Sequence, residues 1–203
     1  MKTKRKEILK EILSWIVLAA AAFLLAFLIN SKAYANTRVE QSSMENTLYN
    51  NNRLIVDELS YQFREPGRGD IITFYRYEEK GSLIKDFTRT LDNFISNIKT
   101  GDDCEKHERL IKRVIGIEGD TIDIINGAVY RNGERLQEPY AKGATDSKGL
   151  QTPIKVGKDQ LFVLGDNRVV SVDSREIGLI NLKQVEGKAL LRIFPFNKFG
   201  KVK

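Results

Sequence analysis

A lysine inside an apolar strand is the first residue of this chain whose setting could support catalysis. Lys112 lies in Arg109–Gly116, and strand alternation places Leu110 and Val114 on the same face as its side chain. An ordinary lysine, with a pKa of about 10.4, is protonated at neutral pH and cannot act as a base. Burial among apolar groups disfavours the charged form and lowers that pKa. Lys112 is therefore a candidate general base, and the alternative is an edge-strand lysine that points to water.

Other catalytic chemistries have less support. The chain has one histidine, His107, and one cysteine, Cys104, both in a charged stretch that we expect to be exposed. A Ser-His-Asp triad would depend on that single histidine, and a zinc site would need mostly carboxylate ligands, against the usual ligand sets. The sequence contains no glycine-rich phosphate loop and no dinucleotide fingerprint. We therefore predict neither a metal nor a cofactor.

Four short motifs follow one another along the chain. They are Ser43-Met44 within Val39–Leu48, Arg68-Gly69-Asp70, Lys112-Arg113-Val114 continuing to Asp120, and Gly165-Asp166-Asn167-Arg168 continuing to Arg175. Each is weak alone, but their order behind one N-terminal apolar segment is specific. The chain resembles the bacterial type I signal peptidases, membrane-bound serine proteases that remove signal peptides from exported proteins. The resemblance extends through Gly187–Ala189, and the single apolar segment and small size are similar to the Gram-positive branch.

The resemblance implies a role for several residues. Ser43 matches the family's nucleophile and Lys112 its general base. Ser171 matches the serine that orients that lysine, and Asp173 and Arg175 match a supporting ion pair. Family members bury the lysine in a mainly β fold and bind the signal peptide of an exported preprotein as an added strand. Small residues at the −1 and −3 positions of the substrate then occupy shallow apolar pockets.

The family pattern also raises questions at single positions. Asp166, in the Gly-Asp-Asn-Arg stretch, belongs with the supporting residues. The backbone N–H of Ser43 is the expected first oxyanion donor. Gln41 stands where family members often have Gly or Ser. Two alternatives therefore remain for the second oxyanion donor: the Gln41 amide supplies it, or this position supplies none. Asn46 and Glu118 replace family prolines, which we interpret as changes of turn rigidity.

The N-terminus predicts a membrane anchor. Residues 1–11 carry a basic cluster, and no charged residue occurs in residues 12–31. About 20 residues form a helix of roughly 30 Å, enough to cross the hydrocarbon core. The positive-inside rule then keeps 1–11 in the cytoplasm and places 36–203 outside, in a single-pass protein of the cell membrane. The alternative is a signal peptide cleaved after Ala35, although the apolar region of such peptides runs only about 7–15 residues.

Beyond the anchor, short β-rich runs alternate with turn signals. Asn126-Gly127 and Asn132-Gly133, between apolar runs, are the strongest hairpin signals. The pattern predicts a mainly β, antiparallel domain over 36–203, either a β-barrel or a coiled sheet. Residues 82–99 differ, because their apolar residues fall on one face of a helix. We expect this inserted helix to pack on the β domain, or to lie on the membrane or a partner such as export machinery or a dedicated substrate.

Partners and rival functions follow from the same features. The net charge of +6 comes partly from the N-terminal cluster, so we predict a lipid bilayer and no nucleic acid as partner. A self-cleaving repressor-type Ser-Lys peptidase would carry a DNA-binding domain in place of the anchor. A non-catalytic or dedicated assembly factor for surface-fibre biogenesis, built on a signal-peptidase scaffold, would be expected to lose Ser43 or Lys112. A secreted binding domain released after Ala35 is the remaining alternative.

Overall fold

The structure is a computed structural model that describes residues 10–19, 22, 34–77 and 108–202. The predicted helix at 82–99 lies outside the described residues, as do His107, Cys104 and most of the predicted span 12–31. Residues 10–19 are helical. Within the described part of the chain, no helix is both long and apolar enough to span a membrane.

Short strands dominate the described part of the chain. They are β1 (Tyr34–Arg38), β2 (Arg53–Asp57), β3 (Ile71–Tyr75), β4 (Arg109–Gly116), β5 (Thr121–Ile125), β6 (Ala128–Arg131), β7 (Glu134–Arg135), β8 (Ile154–Lys155), β9 (Gln160–Leu164), β10 (Ile180–Asn181), β11 (Val185–Phe194) and β12 (Gly200–Lys201). A short α-helix, α1, spans Ser174–Ile177, in addition to the helical residues 10–19. Single-turn 3-10 helices occur at Ser42–Met44, Ser60–Gln62, Leu182–Gln184 and Phe196–Lys198.

The strands form two antiparallel sheets. The larger sheet has the order β1-β2-β11-β3-β4-β9-β10, with β12 paired to β11, and the smaller has the order β7-β6-β5-β8. The mainly β, antiparallel prediction is therefore confirmed. The barrel version of that prediction is wrong, because the end strands β1 and β10 do not pair with each other in the described residues. Register shifts in β4 and β11 bend the larger sheet, and the chain leaves it after β4 to build the second sheet.

The two predicted hairpins lie in the smaller sheet. Asn126-Gly127 joins β5 to β6 with φ values of 49° and 79°, and Asn132-Gly133 joins β6 to β7 with φ values of 54° and 82°. Positive φ at both central residues is the type I′ turn, whose twist matches that of the flanking strands. Both hairpins thus form where the sequence predicts them.

One of the hydrophobic clusters supports the turn at Ser42–Met44. Its buried members are Val39, Met44, Leu48, Leu54, Ile71 and Ala189, and the half-buried Ile111 and Val202 pack against them. Met44 and Leu48 are fully buried on either side of the turn's end. Full burial of such a side chain stabilises the fold by about 1.5–3 kcal/mol. The residues that flank Ser43 are therefore anchored in the core.

Candidate active site

Ser43 lies in the 3-10 turn Ser42–Met44 that follows β1. Ser43 is buried, with 5% of the residue exposed to solvent. The Ser43 carbonyl accepts a hydrogen bond from the backbone N–H of Asn167 at 3.0 Å, and the Ser42 carbonyl accepts one from the Asn167 side chain at 3.1 Å. The fourth sequence motif thus holds the first in place.

Lys112 reaches Ser43 from the interior strand β4. The lysine is fully buried, and its Nζ lies 2.8 Å from the Ser43 Oγ and 2.9 Å from the Ile111 carbonyl oxygen. The edge-strand alternative is wrong, because β4 pairs with β3 on one side and β9 on the other. Burial lowers the pKa of Lys112 from 10.5 to about 8, although the carboxylates of Asp173 and Glu108 act to raise it.

Ser171 is buried where the fourth motif passes the turn that carries Ser43. A Cβ on Gly165 would collide with the Ser171 side chain and the Ser43 carbonyl oxygen, so only glycine allows this approach. Within the described residues the Ser171 Oγ makes no hydrogen bond of standard geometry, although it acts with Arg175 to lower the pKa of the Asp173 carboxyl. The hydrogen bonds of the Lys112 Nζ go to Ser43 and Ile111. Ser171 therefore lies beside the backbone of Ser43 and makes no hydrogen bond to the lysine.

Asp173 and Arg175 form a fully buried ion pair. The Arg175 Nε and Nη2 donate to the two carboxylate oxygens, each at 2.8 Å, and the Gly165 N–H donates to the same carboxylate at 3.0 Å. Burial acts to raise the pKa of Asp173, but the hydrogen bonds and charge of Arg175 outweigh it and the pKa is lowered. Arg175 also donates to the Arg168 carbonyl at 2.8 Å. The pair thus ties the start of α1 to the segment that contacts Ser43.

A second buried ion pair joins Asp166 to Arg113. The Arg113 Nε and Nη2 donate to the carboxylate at 2.8 and 2.7 Å, and the Thr47 hydroxyl donates to the same group. The guanidinium also lies 3.9 Å from the centre of the Tyr140 ring. The sequence analysis named Asp166 but missed Arg113. Strand alternation offered a signal, because it places Arg113 among the isoleucines of β4, where a buried charge needs a partner.

Arg168 is the other buried cation that the sequence analysis missed. Its Nη1 and Nη2 donate to the two Glu138 carboxylate oxygens, each at 2.8 Å, and Nη1 also donates to the Thr145 hydroxyl at 2.7 Å. Its Nε donates to the Gly165 carbonyl at 3.0 Å. Glu138 lies 30 residues away in a loop without a motif, so no local pattern pointed to it.

Comparison with known proteins decides the family. A family model described as signal peptidase, peptidase S26, matches residues 12–194. The chain belongs to this family. It is 36% identical to Signal peptidase I of Leptolyngbya laminosa over 81% of this chain and 70% of that protein. It is 34% identical to Signal peptidase I P of Bacillus subtilis subsp. natto over 100% of this chain and 98% of that protein.

A solved signal peptidase I from Enterococcus faecalis V583 matches 62% of this chain and 97% of that chain, at 27% identity and a TM-score of 0.42. The resemblance drawn from the motifs, including Gram-positive relatives, is confirmed by the family match and the relatives' sequences. The chain is therefore a peptidase of the S26 family.

Gln41 and Asn46 depart from the signal peptidase pattern on either side of Ser43. Gln41 is exposed and extended, with φ of −126° and ψ of 153°, and its side chain does not cap the turn. Asn46 has φ of 93° and follows Glu45, which has φ of −57° and ψ of 146°. The Thr47 N–H closes this type II turn on the Met44 carbonyl at 3.1 Å. Type II turns require positive φ at the third residue, so the departure at Asn46 changes the turn geometry itself.

The turn at Asn46 gives a stability prediction. Proline fixes φ near −65° and cannot adopt the observed value, so Asn46→Pro should lower the free energy of unfolding by about 1–3 kcal/mol. Asn46→Gly keeps the backbone accessible and loses only the hydrogen bond from the Asn46 side chain to the Tyr140 carbonyl. Chemical denaturation of both variants measures the difference. Equal stability of the proline and glycine variants would contradict this description of the turn.

Proposed function

We propose that this protein is a membrane-anchored serine endopeptidase that removes signal peptides from exported preproteins, with Ser43 as nucleophile and Lys112 as general base. The observation that carries the proposal is the 2.8 Å contact between the buried Lys112 Nζ and the Ser43 Oγ. Membership of the S26 family supplies the reaction class. The alternative of a non-catalytic assembly factor has no use for a buried lysine on a serine hydroxyl.

The lowered pKa makes Lys112 usable as a base. At pH 7 a pKa of about 8 leaves about one lysine in ten neutral. With the ordinary lysine pKa, the neutral fraction at pH 7 would be about 300-fold smaller. The neutral amine takes the proton of the Ser43 hydroxyl, and the oxygen attacks the carbonyl carbon of the small −1 residue. The lysine ammonium then gives its proton to the leaving amine, which is the new N-terminus of the mature protein.

Hydrolysis of the acyl-enzyme completes the cycle. Neutral Lys112 takes a proton from water, the hydroxide attacks the ester, and the ammonium returns a proton to the Ser43 oxygen. We assign the Ser43 backbone N–H as one oxyanion donor and the Gln41 amide as the candidate second donor. Loss of one such donor typically costs about 2.7–4 kcal/mol of transition-state stabilisation. Ser171, buried beside the backbone of Ser43, is the candidate to orient the lysine.

Substrate recognition is proposed to follow β-augmentation, with the signal peptide added as a strand and small side chains at −1 and −3. Main-chain hydrogen bonds supply affinity in this mode, and pockets for alternate side chains supply specificity. Membership of the S26 family and the relatives named signal peptidase I support the proposal. The segment 82–99 is proposed to contact export machinery or a dedicated substrate.

The membrane is the second proposed partner. Residues 12–31 are proposed to cross it once, with 1–11 in the cytoplasm and 36–203 outside. Two observations support this. The large apolar side chains in the helical residues 10–19 are exposed, and so are the rings of Phe194, Phe196 and Phe199, with Phe196 at 81%. Apolar rings next to basic side chains are typical of protein surfaces that lie at a lipid headgroup boundary.

Cleavage of a purified preprotein in detergent or lipid tests the proposed function. Wild type should release a mature protein whose N-terminus, read by mass spectrometry, follows a small residue, and a bulky residue placed at −1 should block release. Ser43→Ala should leave the preprotein intact. Ser42→Ala is the matched control, because Ser42 is the adjacent, exposed serine. The Ser42→Ala enzyme should cleave the preprotein as wild type does. Equal cleavage by Ser43→Ala and Ser42→Ala would overturn the assignment.

The pH dependence of cleavage follows from the same lysine. Because its pKa is lowered to about 8, the neutral base form grows about tenfold per pH unit below that value and saturates above it. The rate at saturating substrate should therefore rise with pH and level off above pH 8. Stopped assays across pH 5 to 10, about the range over which the lysine changes charge, measure the profile. A flat profile would show that no group with this pKa acts as the base.

A further inference from the structure

The C-terminal segment, residues 195–202, lies beyond the part of the chain that the family model matches, which ends at 194. After β11 the chain turns through Phe196–Lys198 and returns as β12. β12 pairs with Leu191 and Arg192 of β11, and the Val202 N–H donates to the Leu190 carbonyl at 3.0 Å. The segment is thus folded back on the strand that carries Arg192.

Arg192 links this segment to the loop that follows Ser43. Its Nε donates to the Lys198 carbonyl at 2.7 Å, and its Nη1 donates to the Thr47 carbonyl at 3.0 Å. The guanidinium is a planar fork with fixed donor directions, so one side chain can hold both carbonyls in a defined geometry. Arg192 is half-buried, and the bond to Thr47 is the less exposed of the two, which limits competition from water for that bond.

Thr47 is the residue through which that link reaches Ser43. Its N–H closes the turn on Met44, the residue after Ser43, and its hydroxyl donates to the Asp166 carboxylate. With the Arg192 bond, the N–H, hydroxyl and carbonyl of Thr47 all have partners. The loop from Ser43 to Thr47 is therefore held on one side by Asp166 and on the other by Arg192.

Two more contacts join the C-terminal segment to the same loop. The Lys198 Nζ lies 4.5 Å from the centre of the Tyr49 ring. Val202 packs against the apolar cluster that contains Met44 and Leu48. These contacts meet the chain two residues beyond Thr47, at Tyr49, and the apolar cluster beneath the turn itself.

We propose that Arg192 is a positioning residue that uses the C-terminal segment 195–202 to hold Ser43 at attack distance from Lys112. The inference rests on the proposed function of Ser43 as nucleophile. Catalytic groups must be held to within about half an ångström, and a misplacement of about 1 Å lowers the rate about 100-fold. A loop anchored at Thr47 satisfies that requirement, and a loop released from Arg192 does not.

The test compares Arg192→Ala and Arg192→Lys with Lys201→Ala, an exposed residue of the same segment. For Arg192→Ala we expect kcat to fall about 10- to 100-fold with KM changed by less than about threefold. Arg192→Lys keeps the charge and one hydrogen bond, so its kcat should lie between those of Arg192→Ala and wild type. Lys201→Ala should match wild type. As water enters the loosened site, the pKa seen in the kcat profile of Arg192→Ala should also move upward.

Thermal unfolding of each variant in the same detergent separates positioning from loss of fold. A folded Arg192→Ala with lowered kcat supports the proposal. Wild-type kcat in Arg192→Ala, or a loss that only follows the unfolded fraction with an unchanged kcat profile, would overturn it. Ser43→Ala in the same assay keeps the two claims apart. Activity in Ser43→Ala would overturn the proposed function, whereas a normal Arg192→Ala beside an inactive Ser43→Ala overturns only the role of Arg192.

Discussion

Replacing Lys112 by methionine is expected to abolish cleavage while leaving a folded protein. Methionine fills a similar volume with an unbranched chain, but it cannot take the Ser43 proton. General-base catalysis alone is worth about 100- to 10,000-fold, and a nucleophile without its base loses more. Cleavage by Lys112→Met should therefore fall at least about 1,000-fold in a stopped assay. Lys158→Met, at an exposed position, is the control and should keep wild-type activity. A Lys112→Met enzyme that cleaves at the wild-type rate would contradict the proposed dyad.

The same substitution should raise stability at neutral pH. The pKa of Lys112 is lowered from 10.5 to about 8, and a change of one in pKa corresponds to about 1.4 kcal/mol. The buried ammonium thus costs the folded state about 3 kcal/mol below pH 8. Between pH 8 and 10.5 the unfolded chain binds the proton that the folded chain has lost, so wild-type stability rises with pH there. The stability that Lys112→Met gains over wild type should therefore shrink over that interval. Denaturant titrations of both proteins at pH 7 and about pH 10 measure the difference in the free energy of unfolding at each pH.

The second large effect is expected at Asp173. Asp173→Asn removes the charge that faces Arg175, and both side chains are fully buried. Removal of one partner of a buried pair leaves an uncompensated charge and costs about 3–5 kcal/mol. That is a large share of the roughly 5–15 kcal/mol by which domains are stable. Asp159→Asn, at an exposed position, is the matched surface control and should change the free energy of unfolding little.

Two further readouts separate the roles of Asp173. Adding Arg175→Met to Asp173→Asn removes the stranded charge, so the double variant should lose less stability than the sum of the single variants. The Asp173 carboxylate also acts to raise the pKa of Lys112. Its removal should shift the pH profile of cleavage to lower pH. Additive losses together with an unshifted profile would contradict this account of the pair.

Local patterns predicted much of this fold because local physics produces it. The Asn-Gly turns at 126–127 and 132–133 adopt the positive φ values that their residue types favour. Alternation in β4 likewise predicts a buried side chain at Lys112. Barrel closure was wrong because it depends on how far β4 and β11 bend, and the register shifts in those strands leave no pattern in the sequence.

The contacts that were missed are all long-range. Arg192 meets Thr47 across 145 residues, and Arg113 meets Asp166 across 53. A single sequence shows that a buried arginine needs an acceptor, but it does not show which one the fold will supply. The replacement at Asn46 was interpreted as a change of turn rigidity, whereas the structure shows a positive φ there that proline cannot adopt.

Direct titration of Lys112 tests the central claim. Protein labelled with 13C at the lysine Cε gives one NMR signal per lysine, and the signal absent from Lys112→Met identifies residue 112. The chemical shift of this signal reports the protonation of the Lys112 amine alone. It is followed against pH in wild type and in the inactive double variant that carries both Ser42→Ala and Ser43→Ala. A midpoint near pH 8 in wild type is the predicted result. A midpoint near 10.5, the value of an ordinary lysine, would contradict the neutral-lysine mechanism.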